Sequence, residues 1–96
     1  LQAGAFPGSP IRGAVGCALT PYDLKNVQIT GFDVVSNRPK VAAYRAPGSP
    51  IGAFSIESAL DELAAKLKMD PLELRLKNAA KEGTKTAYGP TLRKIG

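Results

Sequence analysis

The stretch that decides the reading runs from Ile56 to Arg75, IESALDELAAKLKMDPLELR. Ile56, Leu60, Leu63 and Leu67 recur at i, i+4, i+7 and i+11, the period of one helical face. Glu57, Asp61, Glu62 and Lys66 fall elsewhere on the cylinder. The pattern predicts a helix over 50–68 with the leucine stripe as its core face. Asp70-Pro71 then supplies a capping side chain followed by proline at the first helical position, where a missing N–H costs nothing. A further helix is expected over 71–80, with Leu72 and Leu76 one turn apart and Gly83 beyond its end.

Upstream, the five-residue segment PGSPI occurs twice, at 7–11 and at 47–51. Each copy ends in Ser-Pro-Ile, the same start signal as Asp70-Pro71: an N-capping hydroxyl and then proline. The copies continue as RGAVGCALT and GAFSIESAL, which share little beyond small residues, so duplication is the weaker explanation. The first copy predicts a short helix over 10–19, weakened by Gly13 and Gly16 and closed by Pro21.

Between these helices, Val27, Ile29, Phe32, Val34 and Val35 are strand formers. Gly31 suggests a bulge or bend, and Ser36-Asn37-Arg38-Pro39 a turn. A strand region, or a bent hairpin returning through 41–45, is expected over 26–45. The tail over 83–96 reads as an extended surface loop. The expected class is α+β: a short helix, a strand or bent hairpin, then two consecutive helices on one face.

Composition narrows the chemistry. The 96 residues suffice for one small domain, and 44% hydrophobic content argues against wholesale disorder. There is no histidine, which removes the usual general base near neutral pH and the commonest metal ligand. Cys17 is the single cysteine, so no intramolecular disulfide forms. In a small-residue helix it reads as a packed apolar residue rather than a nucleophile. No apolar run approaches the length of a membrane span. The chain begins at Leu1 rather than Met and reads as an internal piece of a larger protein.

The net charge of +5 suits an acidic partner. Eight basic residues from Lys66 onward face three acids, which admits a nucleic-acid surface. Interleaved aromatics are lacking, so a solubilising or subunit-facing surface is the better reading. A non-enzymatic basic module binding nucleic acid or an acidic protein stands as the alternative function. Glu57, Asp61 and Glu62 read as a solvated face rather than paired catalytic carboxylates, with Glu57 a structural candidate beneath the preceding turn.

Tyr44-Arg45, Glu57, Asp61-Glu62-Leu63-Ala64, Asp70-Pro71, Glu73-Leu74-Arg75, Asn78 and Glu82-Gly83 form an ordered series. In that order and spacing it resembles the molybdenum-cofactor-binding large subunit of the xanthine dehydrogenase and aldehyde oxidase family. PYDLKNVQITGFDVV resembles the preceding strand region of the same family. The resemblance implies a segment of a larger molybdopterin-binding domain from a cytoplasmic enzyme. That enzyme would hydroxylate a carbon of an aldehyde or N-heterocycle, with oxygen from water. Its cofactor would be molybdopterin, in bacteria often as the cytosine dinucleotide. Iron–sulfur and FAD-bearing components would be its partners and a small molecule its substrate, with no nucleic acid or membrane involved.

In this family the Arg-containing turn lies against the cofactor and contacts it largely through backbone. By resemblance, Tyr44, Arg45 and Ala46 are the cofactor-contacting residues, and Pro47 borders the substrate pocket. Two departures stand out. The family's usual glycine is Ala46 here, which asks for less unusual backbone angles. It also excludes the copper-binding cysteine of some carbon monoxide dehydrogenases. Pro47 replaces an aromatic that stacks on purines, which argues against a purine substrate. Arg12 lies nearest the place of the family's substrate-orienting arginine. The segment lacks the family's catalytic Glu, so these 96 residues alone are expected to be inactive.

Overall fold

Helix α2, Ser49–Leu67, is the spine of the structure. The computed structural model describes residues 10–34, 36–38, 44–87 and 89–94. Helix α1, Ile11–Cys17, packs on the N-terminal end of α2, and α3, Pro71–Asn78, packs on its C-terminal half. The sequence predicts these helices over 10–19, 50–68 and 71–80; the observed α1 and α3 are each shorter.

The contact between α1 and α2 is a close approach of backbone, with two small side chains, Cys17 and Ser49, bonded across it. A Cβ at Gly48 would run into the Pro10 carbonyl oxygen, and one at Gly52 would lie 2.6 Å from the Ala14 carbonyl oxygen. Pro10 faces Gly48 and Ala14 faces Gly52, the same four-residue step on both segments, so the two first turns lie side by side. The repeated PGSPI thus brings together two helix starts that fit because both present glycine: Gly48 and Gly52 on one side and, on the other, Gly13, whose Cβ would run into the Pro47 carbonyl oxygen. Their capping differs from the expectation. Ser9 lies outside the described residues, and no side chain caps α1. Ser49 is already inside α2, whose N-cap is the left-handed Gly48, and its hydroxyl reaches the Gly13 carbonyl oxygen at 3.4 Å. Only Asp70 caps as predicted, accepting the Leu72 and Glu73 N–H groups at 2.9 Å each.

Cys17 is half-buried in the same contact, and its S–H donates to the Ser49 carbonyl at 3.2 Å. From Cys17 the chain turns tightly: Thr20 N–H donates to Cys17 O, Tyr22 N–H to Leu19 O, and the Thr20 hydroxyl to Gly16 O at 2.7 Å. Tyr22 then pairs with Ala79 beyond α3, through Asp23 N–H to Asn78 O (2.8 Å) and Ala80 N–H to Pro21 O (2.7 Å).

The predicted strand region is the main difference. Residues 27–34 form neither helix nor strand and have no backbone hydrogen bond among the described residues. Residues 35 and 39–43, with most of the returning strand, lie outside them. Strand formers lacking a neighbouring strand supply only half of a ladder. Gly31 is explained by close approach: a Cβ there would press on the side chains of Ile11 and Val15 of α1. The described residues therefore show three helices and two isolated antiparallel bridges, Tyr22 with Ala79 and Lys85 with Thr91, rather than a sheet.

The leucine stripe is not the buried face. Leu63 and Leu67 are exposed, as are Leu72 and Leu76 of α3, whereas Ala64 is fully buried and Leu74 nearly so. Alanine wins the contact because a small side chain lets α3 approach closely, and the acids at 57 and 61 share that side. Helix α2 closes with Lys68 in the left-handed conformation, its N–H shared by Ala64 O and Ala65 O. The tail is more ordered than a loop: Gly83 N–H donates to Leu92 O, Leu92 N–H to Thr84 O and Thr86 N–H to Pro90 O. Thr84 and Thr86 are buried inside this small reversal. Gly83, φ +87°, belongs to its first turn, closed by Thr84 N–H to Lys81 O, rather than to the end of α3.

Candidate functional site

Tyr44, Arg45, Ala46, Pro47 and Gly48 form the turn that enters α2. Arg45 (φ 24°), Ala46 (φ 60°) and Gly48 (φ 81°) all have positive φ. The alanine at position 46 therefore does not relax the backbone as its Cβ would favour. A left-handed alanine costs roughly 1–2 kcal/mol, so the surrounding contacts must hold it there. Part of that hold is visible: Ser49 N–H donates to Ala46 O at 3.1 Å, and the glycine contact pins the other side.

The turn leaves donors free. Gly52 N–H donates to Gly48 O, and Pro50 has no N–H. Among the described residues, the N–H groups of Arg45, Ala46, Gly48 and Ile51 have no acceptor. Neither does the Arg45 guanidinium have a hydrogen-bond or ion-pair partner there. Tyr44 is 89% exposed, Arg45 and Ala46 are exposed, and Pro47 is half-buried. No carboxylate occurs between positions 44 and 52, and the first acid on α2 is Glu57. Successive free amides at a helix start, beside an unpaired cation, suit an anionic group. The donor set thus fits a phosphate-bearing, negatively charged cofactor. It offers no metal ligand, and no metal-ligating cluster occurs among the described residues.

Two turns further along α2, the acids are already committed. The Tyr22 hydroxyl donates to both Glu57 carboxylate oxygens, at 2.7 and 2.9 Å. Arg75 Nε donates to Glu57 Oε2 at 2.7 Å, its Nη2 to the Glu57 carbonyl at 3.1 Å, and its Nη1 to Asp61 Oδ1 at 2.8 Å. Burial, reinforced by the Glu57 carboxylate, pushes the Tyr22 phenol above its ordinary 10.0, so it remains a donor across the physiological range. Hydrogen bonds to Glu57 and then Asp61 hold the Arg75 guanidinium above its usual range. Glu57 and Asp61 are thus not a simple solvated face but the acceptors of a three-segment junction. This junction joins the frame, and its polar groups are paired with one another.

Sequence reasoning singled out Tyr44, Arg45, Ala46 and Pro47, which the fold places consecutively at the start of α2. Arg12 lies exposed on the first turn of α1. Gly48 and Ile51 were not anticipated as donors. A glycine between two prolines is their signal, since few amides near it can join the helix ladder. Tyr22 had no signal in sequence, because its partner lies 35 residues away.

A helical frame carrying a left-handed, donor-rich turn is part of an anionic-cofactor-binding domain. The chain belongs to the molybdopterin cofactor-binding domain family, whose sequence profile matches residues 2–79. The match agrees with the family that the ordered motifs at 44–83 resemble, and molybdopterin is the family's cofactor. The chain is 35% identical over 86 residues to the nicotinate dehydrogenase large molybdopterin subunit of Eubacterium barkeri, covering 90% of this chain and 20% of that protein. It is 41% identical over 68 residues to an aldehyde oxidoreductase of Megalodesulfovibrio gigas, covering 71% and 8%. It is 36% identical over 67 residues to aldehyde oxidase 2 of Rattus norvegicus, covering 70% and 5%. The chain therefore spans a fifth or less of the length of these relatives. No helix among the described residues is long and apolar enough to cross a membrane.

Proposed function

We propose that this chain forms one wall of the molybdopterin site in the large subunit of a molybdenum hydroxylase. The observation that carries the reading is the turn: free amides at 45, 46, 48 and 51 and the unpaired Arg45, gathered at one helix start. In this reading the Arg45 and Ala46 amides hold anionic atoms of the cofactor, and Tyr44 packs beside them. Pro47 borders the substrate and offers it no aromatic face, which suits an aldehyde or small N-heterocycle better than a purine. When bound, the cofactor supplies the two-electron oxidation and the water-derived oxygen. The residues of this chain bind and orient, and none of them transfers a proton at the reacting centre.

The same reading takes residues 27–34 as a strand that pairs within the parent domain, making the whole α+β. It also takes iron–sulfur and FAD-bearing components as partners, the cytosine dinucleotide as one form of the cofactor, and the cytoplasm as location. The relative from Eubacterium barkeri is named as a large molybdopterin subunit, which supports a multi-component assembly. The alternative of a basic binding module is not favoured by the family match. Elemental and pterin analysis of the purified full-length protein tests the proposal. Near-stoichiometric molybdenum and molybdopterin are expected. Their absence, from cells that load other molybdenum enzymes, would overturn it.

A further inference from the structure

Helix α1 touches α2 in two places of different character. The first is the glycine contact at Gly48 and Gly52, beside the turn. The second is indirect. The tight turns over 17–22 make Tyr22 a rigid extension of α1, and its hydroxyl reaches Glu57, nine residues along α2 from Gly48. A single contact lets a helix pivot, whereas two separated contacts fix its angle. The glycine contact carries only a thiol hydrogen bond, Cys17 S–H to Ser49 O at 3.2 Å, and a long Ser49 hydroxyl contact to Gly13 O at 3.4 Å, so the angle between α1 and the first turn of α2 depends also on the second anchor. That angle sets where Pro10 and Ala14 press on Gly48 and Gly52, and hence how the left-handed residues 45–48 are held.

We infer that the Tyr22 hydroxyl, bonded to Glu57, is a positioning contact for the turn at 44–48. Tyr22 and Glu57 are positioning residues, since neither adjoins the turn itself. The inference rests on the functional reading above and adds to it a part that lies outside the pocket. It also separates two roles within one junction. Arg75 binds Glu57 and Asp61 and so ties α3 to α2, while the Tyr22 hydroxyl donates to Glu57 and so ties the turn after α1 to α2, beside its backbone pairing with Ala79.

The separation makes the test selective. Tyr22→Phe in the full-length protein removes one oxygen and keeps the packed ring. Amide hydrogen exchange is then compared with wild type in peptides covering 44–52 and 71–80, together with molybdopterin content. Loss of one hydrogen bond to a charged acceptor predicts exchange faster by about tenfold at 44–52. Exchange at 71–80 stays unchanged and molybdopterin content falls. Glu57→Gln keeps an acceptor for Tyr22 but loses the charge that Arg75 pairs with, so its effect is larger at 71–80 than at 44–52. Unchanged exchange at 44–52 in Tyr22→Phe would overturn the inference, as would an equal rise in both peptides, which marks general loosening. Wild-type protein without molybdopterin would overturn the functional reading. Wild-type protein with molybdopterin, beside a Tyr22→Phe variant of unaltered exchange, would overturn this inference alone.

Discussion

The two ends of α2 are held by opposite means. At its N-terminal end backbone packs closely on backbone, φ is positive at three positions of the turn, and amide donors remain free. Around Glu57 and α3 the contacts are made by charged side chains, Asp70 caps the helix, and Arg75 is satisfied by four acceptor groups, the carboxylates of Glu57 and Asp61 and the carbonyls of Glu57 and Pro71. The second region has spent its polar groups on itself, whereas the first has kept them. Unsatisfied donors and left-handed residues are costly unless something binds them, which is why the proposed site is placed at this end. The well-bonded end is the frame that makes such a turn sustainable.

The comparison can be broken most severely at the glycine contact. Gly52→Val places a Cβ within 2.6 Å of the Ala14 carbonyl, and neither backbone can yield without moving a helix. Destabilisation of about 3 kcal/mol or more is expected, with separation of α1 from α2. Thermal unfolding of the full-length variant checks this; a change within about 0.5 kcal/mol would show that the contact is looser than described.

A milder pair of substitutions sharpens the contrast between the two helix starts. Asp70→Ala removes two cap hydrogen bonds at 2.9 Å and should cost about 1 kcal/mol. Ser49→Ala removes only a 3.4 Å contact from a residue inside the helix and should stay within about 0.5 kcal/mol. Denaturant titrations of both variants decide it. Equal losses would mean that Ser49 caps after all and that the two starts share one chemistry.

Much of the helical frame was legible because it depends on local signals. The period from Ile56 to Leu67 and the Asp70-Pro71 start are properties of neighbouring residues, and α2 lies where they point. The direction of burial was not legible. Leu63 and Leu67 turn outward because α3 docks on the side that carries Ala64 and the two acids, which depends on the partner helix. The stretch at 27–34 shows the same limit from the other side, since strand-forming side chains describe a preference while a ladder needs a neighbour. At the candidate site, Tyr44 to Pro47 were singled out through family resemblance. The left-handed state of Ala46 was missed, because a Cβ argues against it and only the packing of Gly48 and Gly52 on α1 overrides that preference.

The central claim is that the turn, and not the junction, faces the cofactor. Hydrogen exchange on the full-length protein, purified with molybdopterin and from cells unable to make it, tests this most directly. The account predicts that the peptide covering 44–52 gains strong protection when the cofactor is present, while the peptide covering 71–80 changes little. Equal exchange at 44–52 in both preparations, with molybdopterin demonstrably bound in one of them, would contradict it.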